Sequence, residues 1–86
     1  MGIFYIIKCN NENEEFYKLG ITFNSVKIRY SSRMPYNYEI VQEIKSNNLE
    51  FIWDIEKYFK KYVNKQKLHY SPNIKFGGSE LECYKL

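Results

Sequence analysis

Two apolar segments rich in β-forming residues, Ile3–Cys9 and Glu15–Thr22, are separated only by the polar stretch Asn10-Asn11-Glu12-Asn13-Glu14. A five-residue polar connection suits a hairpin, so these segments predict two antiparallel strands at the start of the chain. Little else in the sequence leaves the fold so few choices. With 86 residues, a chain buries only about 60% of its unfolded surface, which allows one domain over residues 1–86 and one modest core. An apolar share of 44% with 19% aromatic residues is enough to fill that core.

Downstream of the hairpin, Asn24 and Ser25 offer N-cap chemistry for a short helix running to about Arg33, which Met34-Pro35 stops because proline disfavours helix in the residue before it. Tyr38–Lys45 returns to strand. Asn47 or Asn48 can cap the longest helix, about Leu49 to Asn64, where Ile52, Ile55, Phe59, Tyr62 and Val63 follow helical spacing. A basic loop around Pro72, a Gly77-Gly78 turn and a last strand, Leu81–Lys85, complete the chain. The order β-β-α-β-α-β predicts an α+β fold, a small, mostly antiparallel sheet of three to four strands flanked by helices.

The longest apolar run, Ile3–Ile7, is far short of the roughly 18 residues of a membrane span, and the first residues lack the pattern of a signal peptide, so a cytoplasmic protein with no membrane partner is expected. Cys9 and Cys83 stand near opposite ends with neither CxxC spacing nor a neighbouring histidine, which predicts free or buried thiols. Net charge is only +3, but Lys57 to Lys75 holds six lysines and no acid, interleaved with Tyr58, Phe59, Tyr62, His69 and Tyr70. Such a segment is either a solvated helix face or a surface that tracks phosphates and offers rings to bases; Lys57, Lys60, Lys61 and His69 are its candidate contacts.

Five further residues are unusual for a bland domain. Arg29 and Arg33 stand one turn apart in a chain with eleven lysines and no other arginine; the pair suits a bidentate grip on phosphate, or ordinary pairing with Glu on a neighbouring strand. Glu56 falls in the stripe Ile52, Glu56, Phe59, Val63, where it either helps hold a magnesium ion or pairs with Lys60 at i, i+4. Lys18 interrupts Phe16-Tyr17-Lys18-Leu19 as a sheet-edge guard or a functional ammonium. Tyr5, on the first strand, is by itself indistinguishable from core.

Taken in order, Tyr5 on strand one, Lys18 on strand two, Arg29 on the first helix and Glu56 on the second resemble the GIY-YIG nuclease superfamily over nearly the whole chain. Gly2-Ile3-Phe4-Tyr5 resembles the GIY half, and Lys18-Leu19-Gly20 the YIG half with lysine for the second tyrosine, as in the branch of viral or phage-like stand-alone proteins and some restriction endonucleases. Ile21-Thr22-Phe23-Asn24, Lys27-Ile28-Arg29, Gly77-Gly78-Ser79 and Glu82-Cys83-Tyr84 continue the likeness. Arg33 and Lys60 stand where many members carry histidine, and the late asparagine of some members has no clear equivalent.

The resemblance implies a divalent-metal-dependent endonuclease, a hydrolase that cuts DNA phosphodiesters by in-line water attack, with RNA left open. In it Glu56 holds one Mg2+ or Mn2+ ion, Arg29 grips the scissile phosphate, and Tyr5 accepts the proton of the attacking water. A phenol's ordinary pKa of about 10 makes nearby cations necessary for that step; Lys18 either supplies one of them or orients the water or phosphate. Such a chain would be poorly specific, a homodimer, or guided by a partner protein. The rival expectation is a catalytically silent relative that binds nucleic acid or inhibits a protein.

Overall fold

The computed structural model describes residues 1–31, 34–76 and 83–86. Strands β1 (Gly2–Asn10) and β2 (Glu15–Thr22) form the expected hairpin, followed by α1 (Val26–Arg29), β3 (Asn37–Ser46), α2 (Leu49–Lys65) and β4 (Cys83–Tyr84). The four strands make one antiparallel sheet in the order β3-β1-β2-β4, so the fold is α+β with two helices. Asn11 closes the hairpin, its Oδ1 accepting from the backbone N–H groups of Asn13 and Glu14.

Two helix boundaries follow from side-chain chemistry. Ser25 caps α1 by accepting from the Ile28 amide at 3.1 Å, and Asn48, rather than Asn47, caps α2 by accepting from the Phe51 amide at 3.2 Å. The first helix stops at Arg29, four residues short of the expected Arg33. Tyr30 leaves the helical path with its ring buried in the core, and the Ser31 hydroxyl satisfies the Ile28 carbonyl at 2.8 Å. Arg33 and the Gly77-Gly78 turn lie outside the described residues, as do Leu81 and Glu82 of the expected last strand.

The uninterrupted apolar character of β1 has a simple cause: β1 lies between β2 and β3 and is covered on both faces. Its side chains alternate, so the single expected core is divided in two. Ile3, Tyr5, Ile7 and Cys9 point to one side, with Phe16, Val26, Tyr30, Tyr36 and Cys83. Phe4 and Ile6 point to the other, with Leu19, Ile52, Val63 and Tyr84. The first layer is roofed by α1 and the 70–76 segment, the second by α2, whose Phe59 ring stacks on Phe4 at 5.3 Å between centroids.

Gly20 is the sheet position where a side chain is least tolerable. It lies directly across from Tyr5, and a Cβ there would sit 2.5 Å from the Tyr5 hydroxyl and 2.8 Å from its Cζ. The phenol therefore lies over bare backbone. Gly20→Ala must push that ring aside and is expected to cost about 1–3 kcal/mol, as overpacking in a filled core does. In a double-mutant cycle monitored by urea unfolding, part of that cost should vanish in a Tyr5→Phe background, because the closest clash is with the hydroxyl; strictly additive losses would show that the ring does not occupy this space.

Candidate functional site

Tyr5, Arg29 and Tyr30 form a polar knot on the first face of the sheet. The Tyr5 side chain is fully buried; its hydroxyl lies 2.5 Å from that of Tyr30 and accepts from Arg29 Nε at 3.1 Å. The two rings meet edge to face at 5.8 Å, a favoured geometry for aromatic pairs. Burial, then the hydrogen bond shared with Tyr5, pushes the Tyr30 phenol far above its ordinary range. Burial alone would lower the Arg29 value, but contact with the two phenols holds it above normal, so the guanidinium is a permanent cation.

Lys18 belongs to the same face. It pairs in register with Ile7 on one side and Cys83 on the other, its side chain is wholly buried, and its ammonium lies 5.6 Å from the centroid of the Phe76 ring. With β4 hydrogen-bonded beside it, Lys18 does not guard an open edge. Both cysteines are buried thiols, as expected. Burial, then the neighbouring Cys83, pushes Cys9 up to about 12, against a smaller opposing effect of Lys18. Cys9 is on β1 and Cys83 on β4 with β2 between them, a separation of roughly two strand spacings of 4.8 Å each, too wide for a disulfide.

Glu56 is not part of this knot. It stands on α2, which packs on the Phe4–Ile6–Leu19 face, and so the sheet lies between it and Arg29. Its carboxylate pairs with Lys60 at 3.4 Å, the i, i+4 alternative. The apolar stripe of α2 is as periodic as expected, with Ile52 and Val63 buried and Phe59 partly so; what the stripe cannot reveal is which sheet face it covers. The residues named for an ion therefore do not fit one held against the Tyr5–Arg29 pair. Among the described residues no group of three or more His, Cys, Asp or Glu side chains could hold a metal ion.

Sequence reasoning missed Tyr30, Gly20's role as a cradle, and a carboxylate on the proper face. Glu43 of β3 lies directly across from Tyr5 in register, and directly opposed residues share a face. Glu43 is exposed. Strand alternation combined with the hairpin could have located it, had the β1–β3 register been known.

Lys57, Lys61 and His69 are exposed, and Lys60 is half-buried. The outer side of the C-terminal half of α2 holds a shallow groove of about 370 Å³ lined by Tyr58, Lys61, Tyr62, Lys65 and Gln66. His69 stands apart from that groove, in a single backbone bridge with Tyr84.

At the hairpin end, the buried carboxylate of Glu14 ties the 70–76 segment to the sheet. It accepts from the Tyr36 hydroxyl at 2.6 Å, from the Tyr70 hydroxyl, and from the Asn73 amide at 3.2 Å. Nothing in its polar stretch Asn10–Glu14 signals such burial.

Comparison with protein-family models, with curated proteins and with solved structures gives no match. No helix among the described residues is long and apolar enough to cross a membrane.

The Glu14 clasp sets an acid limit. Burial would raise this carboxyl, but the hydrogen bonds from Tyr36, Tyr70 and Asn73 hold it below the ordinary 4.5. A depressed folded-state value means that the contribution is complete above the ordinary carboxylate range and is lost as pH falls through the folded value. In thermal unfolding followed by Trp53 fluorescence, Tm of the wild type should fall between about pH 5 and 3 more steeply than that of Glu14→Gln; parallel profiles would show that the clasp contributes nothing.

Proposed function

We propose that this chain is a nucleic-acid-binding domain on the GIY-YIG plan, one that grips the phosphodiester backbone with the lysine side of α2 and does not itself cut it. The observation that carries this is the position of Glu56: engaged with Lys60 on the α2 layer, it has the sheet between it and Arg29. A cleavage site needs carboxylate, guanidinium and phenol around one phosphate. Lys57, Lys61 and Lys65 are exposed at i, i+4 spacing beside Tyr58 and Tyr62, which supports phosphate contact there. Lysines at the C-terminal half of a helix also offset its dipole, a structural gain that does not depend on a ligand.

A second reading, a metal-dependent endonuclease hydrolysing DNA by in-line water attack, is favoured by the direct Arg29–Tyr5 contact. Arg29 would grip the phosphate and Tyr5 would take the water proton once Tyr30 moved off its hydroxyl. In that case the carboxylate would come from Glu43, which shares Tyr5's face, and not from Glu56.

Labelled single-stranded, duplex and branched DNA, with RNA alongside, incubated in Mg2+ or Mn2+ against an EDTA control, separates the two. The expected outcome is retention without cleavage. Retention should fall steeply with salt, with a log–log slope of about −2 to −3 for three phosphate-neutralising lysines, flattened in Lys57→Ala/Lys61→Ala/Lys65→Ala. Metal-dependent cutting that is lost in Arg29→Ala, Tyr5→Phe and Glu43→Gln but kept in Glu56→Gln would establish the endonuclease; cutting lost in Glu56→Gln with the fold intact would overturn the separation of the two faces.

A further inference from the structure

Tyr58 and Tyr62 are both exposed, 69% and 48% accessible, and stand one helical turn apart on α2. Exposed rings at such a spacing leave apolar surface in water, and one of the two has a ring neighbour. The Tyr58 ring meets Phe59 edge on, at 5.9 Å and 87°, and the Phe59 ring is itself stacked on Phe4 in the core. That contact leaves one face of the Tyr58 ring open to a flat partner while its edge rests against a neighbour anchored in the core.

The groove beside these rings has about 370 Å³ and is also lined by Lys61, Lys65 and Gln66. That is near the lower end of small-ligand sites, the scale of one nucleotide rather than of a helix face. Lys61 and Lys65 are also one turn apart, about 6 Å along the axis, so each can face a different phosphate of one strand. Gln66 offers both a donor and an acceptor to a base edge. No acid occurs from Lys57 to Lys75, so nothing in that stretch repels a polyanion.

We infer that the Tyr58–Tyr62 groove takes an unpaired base of a single-stranded nucleic acid, with Lys61 and Lys65 on the flanking phosphates. The inference rests on the binding function proposed above and narrows it. In a duplex each base is already stacked on both faces and presents no ring surface to a tyrosine. A single strand has ring faces to give, and stacking is indifferent to base identity, which suits a groove with only one hydrogen-bonding amide.

Fluorescence anisotropy with a 12-nucleotide oligo-dT and a mixed-sequence duplex of equal length tests this on the full chain. The wild type should bind the single strand about tenfold or more tightly than the duplex, given the usual strength of base–aromatic stacking. Tyr58→Leu/Tyr62→Leu, changed only at exposed positions, should lose that preference with its salt slope intact; Lys61→Ala/Lys65→Ala should weaken both ligands and flatten the slope. Equal wild-type affinity for the two ligands, or an unaltered preference in the tyrosine variant, overturns the single-strand inference while leaving nucleic-acid binding in place. Binding to neither overturns both, as does self-association of the free chain through these tyrosines in sedimentation.

Discussion

The alternation of β1 side chains governs the molecule. One strand, paired on both edges and covered on both faces, sends Tyr5 and Ile7 to one layer and Phe4 and Ile6 to the other. Every other element must choose a side: α1 and the 70–76 segment take the first layer, α2 the second. A one-residue slip of β1 would exchange the two sets and place phenol and thiol under α2. The continuous pairing of β1 with β2, from Ile3↔Thr22 to Asn10↔Glu15, makes that slip costly.

On this wall the chemistry sorts into two separate surfaces. One holds buried polar groups that satisfy each other: Tyr5 with Tyr30 and Arg29, and Glu14 with Tyr36, Tyr70 and Asn73. Among the described residues no buried side-chain nitrogen or oxygen lacks a hydrogen-bond partner, as stability demands of groups removed from water. The other surface is open and cationic, with lysines and tyrosines facing solvent on α2. The first is built like a scaffold with a guanidinium at its rim, the second like a contact surface.

Much of this was legible in the sequence because it is local. The hairpin follows from two β-forming segments about a polar stretch, α2 from a 3.6-residue period, and both helix starts from the pairs Asn24-Ser25 and Asn47-Asn48, of which Ser25 and Asn48 cap. Tyr5, Lys18 and Arg29, singled out in the sequence from three separate elements, lie on one face of the sheet. Glu56 shows where such reasoning fails: its stripe fixes which side of the helix is buried, but the choice of sheet face depends on strand register and the path of the chain after β3. The early end of α1 is tertiary in the same way, since Tyr30 leaves the helix for the core. Glu14 was hidden because its three donors arrive from residues 22 to 59 positions away in the chain.

The binding proposed for this chain puts nucleic acid on the α2 surface and not on the Arg29–Tyr5 face. Amide chemical-shift mapping of the uniformly 15N-labelled chain during titration with oligo-dT tests it most directly, because both surfaces report in one spectrum. The largest changes should fall on Lys57 to Gln66, with Arg29, Tyr30 and Gly20 little moved. Changes centred on Arg29, Tyr30 and Glu43, with α2 silent, would contradict it and return the phosphate to the tyrosine–arginine face.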